Sequence, residues 1–469
     1  MRVLLIQPRP RDGLGFKSVF CTEPLGLEIV GAALKEHQVS LWDMLDETSP
    51  ANIIASFRPQ AVGISCSFTV DVYTVINIAQ VIKEMAPATF TFVGGHHASL
   101  CPEDFFYPFI NAIVTGEGET TTPEMLAVLE GNQDLTNVSG LILNLPEGQF
   151  RTKNRIPLAQ LDNVPLPDRL LTADYQQKYY LGFRRPTAAV ETSRGCPYRC
   201  NFCSVWRFHR GKVRTMSPLR VVEEVSRLKT KEIFFTDDNF LVDISRAAEI
   251  AGLIKKQGLP RKNYIFQARS DTIVKHPDVV KQWKEIGLDH VFIGFEKIDE
   301  EGLKQVNKHN SVENNEKAFK FLKSLGIGVY ASFIVDPGFT AKEFQKLLVY
   351  INRLRIMQPY FSVLTPLPGT ELFSQVKSRL TTLNYEFFDL LHAVLPTSLS
   401  PQEFYHQFTN LYKQAYRKPG HLFGSMQIFF QKLFNRNLSF DHLSKLFYGA
   451  KQTINWKAYL KQEGGSVKY

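Results

Sequence analysis

A chain of 469 residues with 44% apolar and 22% charged side chains has the balance of an ordinary globular protein with room for two or three domains. No apolar run reaches the roughly 20 residues that a bilayer-spanning helix needs. The net charge of +9 is concentrated at one end, where Leu411–Tyr469 carries ten Lys/Arg against two Asp/Glu. The rest is close to neutral, which points to a local surface feature, and no nucleic-acid partner is expected.

The N-terminus runs directly into a strand-like segment, so no leader is predicted. Strands are expected at Val3–Gln7, Val39–Trp42, Ala61–Ser65, Thr91–Val93 and Ala112–Val114. Helices are expected between them at Leu25–Glu36, Ala51–Phe57, Val70–Met85 and Thr122–Glu130. This alternation predicts a parallel, doubly wound (Rossmann-like) α/β domain over residues 1–130. Its strand ends run into Pro8–Gly13, Gly94-Gly95-His96-His97 and Gly116-Glu117-Gly118-Glu119. Ligands of open α/β sheets sit outside the carboxyl ends of the strands, and glycine lets the backbone approach them closely. None of these loops is a G-x-G-x-x-G fingerprint.

Residues 131–187 read as a connecting strap, with a further strand at Val138–Asn144 and two prolines in Val164-Pro165-Leu166-Pro167. Alternation resumes over 188–373, with strands at Ala188–Glu191, Glu232–Thr236, Tyr264–Ala268, His290–Phe295, Gly328–Val335 and Pro359–Leu364. Six β/α units over about 180 residues fall short of the ~250 of a full eight-unit barrel and predict a partial (β/α)6 barrel. Residues 374–469 read as helical, basic and aromatic, with helices at Tyr385–Leu391, Pro401–Tyr416, Leu422–Leu433 and Asp441–Leu460.

The first strand of the barrel is followed by Cys196-Pro197-Tyr198-Arg199-Cys200-Asn201-Phe202-Cys203. A structural zinc site wants four closed ligands, and catalytic zinc usually takes His or carboxylate. Thiolate-only ligation by three cysteines favours three irons of a cubane cluster, whose fourth iron stays open to a small molecule. Cys21, Cys66 and Cys101 are scattered and read as buried small hydrophobes, which with the cluster motif predicts a reducing, cytoplasmic setting.

The stretch Glu191–Cys203 closely resembles the cluster loop of radical S-adenosylmethionine (SAM) enzymes. Gly94–Ala98, Gly116–Glu119, the Leu161–Pro167 strap, Thr236–Phe240 and Leu364–Thr370 resemble the subfamily with an N-terminal cobalamin-binding domain. The resemblance covers roughly residues 1–400. It implies a 4Fe-4S cluster on Cys196, Cys200 and Cys203, SAM on the open iron, and cobalamin in the first domain. The D-x-H-x-x-G motif that supplies a lower cobalt ligand in many cobalamin domains is absent, which implies cobalamin held without a lower histidine. Gly94, Gly95, His96, Gly116 and Glu117 are then candidate cobalamin contacts, with His96 and His97 lining its tail pocket or capping a helix. Asp237 and Asp238 match positions that contact the SAM amino group; an N-cap with an acidic first turn is the bland alternative. Gln267, Arg269 and Glu296 match positions contacting ribose or carboxylate, and Phe202 either faces the adenine or packs internally.

The implied reaction is reductive SAM cleavage, hydrogen abstraction from an unactivated carbon and methyl transfer from cobalamin, with an electron donor such as flavodoxin or ferredoxin. The flank Asn201–Trp206 also resembles hopanoid C-3 methylases, which implies a small-molecule or lipid substrate. The run His421–Phe434 suits either an interfacial helix in peripheral contact with a membrane or a core-facing helix with a basic edge. A cobalamin-dependent radical cyclase and a non-enzymatic sensor share these motifs. A tRNA methylthiotransferase would need a second cysteine trio.

Overall fold

The computed structural model describes residues 1–9, 20–45, 49–416 and 440–460. The first part of the chain supplies strands β1 (Arg2–Gln7), β2 (Phe20–Cys21), β3 (Gln38–Asp43), β4 (Ala61–Ser65), β5 (Phe90–Gly94), β6 (Ala112–Val114), β7 (Leu141–Leu145) and β8 (Gly148–Arg151). All but β2 form one sheet in the order β3-β1-β4-β5-β6-β7-β8. The first five of these run parallel and the last two antiparallel. The strand order reverses between β1 and β4, and in a doubly wound sheet a ligand crevice opens above that point. The sheet extends past residue 130 to Arg151, so the segment 141–151 of the expected strap belongs to it as an antiparallel hairpin.

The strap returns to the first domain as β9 (Tyr180–Leu181), which pairs with β2. The second sheet then begins at β10 (Thr187–Val190) and continues, after the small strands β11 (Ser193–Arg194) and β12 (Arg214–Thr215), with β13 (Glu232–Phe235), β14 (Asn263–Gln267), β15 (Leu288–Glu296), β16 (Gly328–Val335) and β17 (Gln358–Val363). Its order is β10-β13-β14-β15-β16-β17, parallel throughout, which is the expected six-unit partial barrel. Trp283 anchors its core: the ring is fully buried, meets Phe235, Phe240, Tyr264 and Phe266 edge-on, and donates its indole N–H to the Ala247 carbonyl at 3.0 Å.

A sheet that does not close leaves two edges whose backbone groups need partners. On β10 the outward-facing positions are Thr187 and Ala189. Thr187 donates its N–H to the Tyr179 carbonyl at 3.2 Å, the Ala189 N–H reaches Glu23, and the Ala189 carbonyl accepts from Arg169 Nη2 at 2.7 Å. On β17 they are Pro359, Phe361 and Val363. The Pro359 carbonyl accepts from the Tyr416 hydroxyl at 3.0 Å, and the Val363 N–H donates to the Leu390 carbonyl at 2.7 Å. The Tyr412 hydroxyl serves Phe361 twice, donating to its carbonyl at 2.7 Å and accepting from its N–H at 3.2 Å. The aromatic face of the helix Pro401–Tyr416 is therefore a lid on the barrel edge. Tyr412→Phe leaves both Phe361 groups without this partner and is expected to cost about 1–3 kcal/mol, read as a lower urea midpoint.

Two helical expectations change for local reasons. Tyr385–Leu391 is a single 3-10 turn at Tyr385–Phe387, because Asp389 turns the chain by accepting from the Leu391 and His392 N–H groups, with Leu390 at φ 67. The expected helix Asp441–Leu460 is two helices, Phe440–Thr453 and Trp456–Leu460, and the second is capped by Asn455 Oδ1 accepting from Lys457 N at 3.3 Å. Leu422–Leu433 lies outside the described residues.

Candidate functional site

The cysteine loop leaves the C-terminal end of β10, and β11 and β12 tie its neck with an antiparallel pair, Ser193 opposite Thr215 and Arg194 opposite Arg214. Gly195 sits inside this neck at φ 93, where a Cβ would stand 2.2 Å from the Lys212 carbonyl oxygen, so only glycine fits. The loop is clamped from the β15 side. Asn201 Nδ2 donates to the Gln305 carbonyl at 2.8 Å, and Asn307 Nδ2 donates to the Arg199 carbonyl at 2.6 Å. The Arg269 guanidinium lies 3.5 Å from the centre of the Tyr198 ring and donates to the Lys308 and His309 carbonyls.

All six cysteines are free, and Cys21, Cys66 and Cys101 are buried as expected. Cys196, Cys200 and Cys203 share the short loop, the backbone N–H of Tyr198 is directed at the Cys196 sulfur, and that of Val205 at Cys203. Burial pushes all three thiols up, Cys203 to about 12, and a bound metal would stabilise the thiolates. An all-thiolate donor set with N–H groups turned toward sulfur fits an iron-sulfur cluster.

The two aspartates after β13 have separate tasks. Asp237 is 1% exposed and accepts from the Thr192 hydroxyl at 2.7 Å, the Thr192 N–H at 3.1 Å and the Ser193 hydroxyl, so its carboxylate braces the neck of the cysteine loop. Asp238 is exposed after the C-terminal end of β13 and accepts from the Gly195 N–H. Desolvation, with Asp237 adjacent, pushes its carboxyl up to about 6. Gln267 is half-buried and its amide reaches the Asp237 carbonyl at 3.4 Å. Asn239 adds a buried Oδ1 that has no hydrogen-bond donor.

Glu296 ends β15 just beyond an irregularity in its pairing with β16, at φ 60, a conformation that side-chain-bearing residues rarely adopt. Its carboxylate folds back over Gly294, where a Cβ would lie 2.0 Å from Oε1, and pairs with Lys308 Nζ at 2.7 Å. Lys308 carries no sequence signal; it is a loop residue that only the fold brings to this strand end. Phe202 is half-buried in the loop between Cys200 and Cys203.

The glycine loops of the first sheet meet the cysteine loop across the domain seam. Gly95, at φ 114, packs its Cα on the backbone of Cys66 with 2.7 Å to the position of a Cβ, while Gly94 makes only ordinary contacts. His96 follows, stacks on Phe208 at 4.5 Å, and its Nε2 lies 2.8 Å from the hydroxyl of Ser204, the neighbour of Cys203. Burial lowers the His96 pKa to about 4, so the ring is neutral. His97 engages Thr69 through Nδ1 and Asp104 through Nε2, which occupies both nitrogens even though Cys101 stands close by. Gly116, at φ 80, faces open space. Phe68 is two-thirds exposed beyond the end of β4.

Glu117 does not face the open crevice. Its Oε1 pairs with Arg194 Nη1 at 2.7 Å and with Arg214 Nη1 at 2.8 Å, and its Oε2 accepts from the Leu158 N–H at 3.0 Å. Arg194 also pairs with Glu119 at 2.5 Å and Glu191 at 2.8 Å. Residues predicted from separate halves of the chain are thus joined by a buried ion-pair cluster at the root of the cysteine loop.

Residues 190–351 match the Radical SAM superfamily, and residues 11–126 match the B12 binding domain. The chain is 35% identical to the hopanoid C-3 methylase of Methylococcus capsulatus over 89% of its own length and 81% of that protein. The chain belongs to the cobalamin-binding radical SAM enzymes. It is 24% identical to the anaerobic magnesium-protoporphyrin IX monomethyl ester cyclase of Rubrivivax gelatinosus, over 97% of this chain and 86% of that one. The solved radical SAM methyltransferase TsrM of Kitasatospora setae shares the fold, with a TM-score of 0.68, 16% identity and 89% coverage of both chains. As a radical SAM enzyme with a B12 domain, the protein uses a 4Fe-4S cluster, SAM and cobalamin.

Proposed function

We propose that this enzyme methylates an unactivated carbon of a polycyclic lipid of the hopanoid class. The observation that carries the reading is the seam: His96 and Glu117, from the glycine loops of the B12 domain, touch Ser204 and Arg194, which flank the cluster cysteines. The bound cofactors supply the electron transfer, hydrogen abstraction and methyl transfer. The protein's part is positional. Cys196, Cys200 and Cys203 hold the cluster. Asp238, Gln267, Arg269 and Glu296 line the mouth as candidate SAM contacts, Asp238 as the anion that suits an ammonium. Gly94, Gly95, His96 and Gly116 form the crevice floor for cobalamin, and the engaged nitrogens of His97 support binding without a lower histidine.

The lipid assignment rests on the likeness to a hopanoid methylase and on the C-terminal region. Phe447 and Tyr448 are 66% and 63% exposed on the helix Phe440–Thr453, between Lys445 and Lys451, a composition that suits the face of an anionic membrane. None of the described helices is long and apolar enough to cross a membrane. Anaerobically reconstituted protein given SAM, a reductant and a hopanoid should release 5′-deoxyadenosine and S-adenosylhomocysteine in equal amounts with the methylated lipid. Deoxyadenosine without S-adenosylhomocysteine would instead favour the cyclase reading, which the relative of 24% identity supports. SAM left intact under reducing conditions would favour a sensor.

A further inference from the structure

The cluster of such an enzyme must receive an electron from outside for each SAM cleaved, and the barrel mouth is where cofactors and substrate crowd. The cysteine loop also has a solvent side. Pro197 and Arg199 are exposed there, and the next turn, Val205–Phe208, brings Trp206 against it. The Trp206 indole donates to the carbonyl of Cys200 at 3.2 Å, so a half-buried aromatic ring is bonded to the backbone of a cluster ligand. Two exposed guanidinia, Arg199 and Arg207, each stand 5.7 Å from the centre of that ring. Arg210 is exposed beyond Arg207, at φ 54, and both border a cavity of about 160 Å³ at the domain seam, which Ser99, Gly116 and Arg151 of the first domain line from the other side. Among the described residues, Arg199, Arg207 and Arg210 have no ion-pair partner.

Guanidinia normally find carboxylates, and three together without one raise the local positive potential. Elsewhere in the same region the arginines are paired: Arg155 with Glu124, and Arg194 and Arg214 with Glu117. Arg199, Arg207 and Arg210 are exposed beside the cluster loop, the first two at the one tryptophan bonded to it. We propose that Arg199, Trp206, Arg207 and Arg210 form the docking face for a small acidic one-electron donor protein. This inference rests on the radical SAM reading above. The donor's reduced cofactor gives one electron to the cluster and is itself oxidised by one electron, with Trp206 and the Cys200 backbone between them. Redox encounters of this kind use small, charge-steered interfaces that release quickly, which an arginine patch without a deep apolar groove suits.

The test is Arg207→Glu with Arg210→Glu in the full-length reconstituted enzyme, using reduced flavodoxin as the acidic donor and titanium(III) citrate as a small-molecule reductant. Flavodoxin affinity, measured directly by titration, and flavodoxin-driven SAM cleavage should each fall by about tenfold or more, as expected for a reversed steering field. Cleavage driven by titanium(III) citrate should be unchanged, which separates docking from damage to the loop. In the wild type, flavodoxin affinity should fall as ionic strength rises toward 0.15 M, where the Debye length is about 8 Å. Unchanged flavodoxin affinity in the variant, or equal losses with both reductants, would overturn the proposal. Salt-sensitive flavodoxin binding that the variant loses, in a wild-type protein that cleaves no SAM with either reductant, would support the docking face and sink the radical reading instead.

Discussion

Cys200→Ala is expected to remove iron binding and SAM cleavage together. Cys200 is the most enclosed of the three ligands, at 8% exposure, with its carbonyl held by Trp206. Alanine leaves two thiolates and a gap beside Lys308, Arg269 and Glu296, whose carboxylate is already engaged by Lys308. Changing a residue outside the ligand set already costs about 10–100-fold in metal affinity, so losing a ligand should cost more than about 100-fold. Iron content and visible absorbance after anaerobic reconstitution read this directly. Cys21→Ser and Cys66→Ser serve as controls: both sulfurs are buried in the first domain, and iron content should not change. Iron retained by Cys200→Ala would mean that the cluster is held elsewhere.

Arg194→Met is expected to uncouple the two halves of the reaction. Arg194 stands two positions before Cys196, on a neck that Gly195 keeps rigid, and its guanidinium holds Glu117 and Glu119 of the B12 domain. Removing one partner of a buried ion pair typically costs about 3–5 kcal/mol, because the remaining charges are left uncompensated. Here Arg214 still serves Glu117, so the lower end is expected, read as a drop in the urea midpoint. The sharper readout is stoichiometric. A shift of ~1 Å between the domains can reduce a positioned reaction by about 100-fold. Deoxyadenosine formation, which needs only the cluster loop, should persist while S-adenosylhomocysteine formed per deoxyadenosine falls. Arg194→Lys keeps the charge but not the two-sided fork, and should be intermediate. An unchanged ratio in Arg194→Met would show that the His96–Ser204 contact suffices to hold the seam.

Much of the architecture was legible from local pattern. Ala61–Ser65, Ala112–Val114 and Gly328–Val335 are strands to the residue, and β1 starts one position before its expected Val3. The short, near-continuous apolar runs that mark such strands are a local property, readable where both faces of a parallel sheet are covered by helices. The tail was less legible. The aromatic residues of Pro401–Tyr416 signal a buried face, but nothing in their spacing says that Tyr412 and Tyr416 complete the unpaired edge of β17.

What the sequence determined by itself is chemistry confined to one covalent stretch. Cys196, Cys200 and Cys203 lie within eight residues, so chain connectivity alone brings their sulfurs near one another, and thiolate softness selects the metal. Only the tertiary structure decided the roles of residues far apart in the chain. It set Asp237 inward as a brace and Asp238 outward, though both are the same residue type in adjacent positions. It turned Glu117 from the crevice to Arg194, brought Lys308 to Glu296, and laid His96 on the far end of the cysteine loop. The physical reason is that a buried charge must find a counter-charge wherever the fold supplies one, and that partner is fixed by packing in space rather than by spacing along the chain.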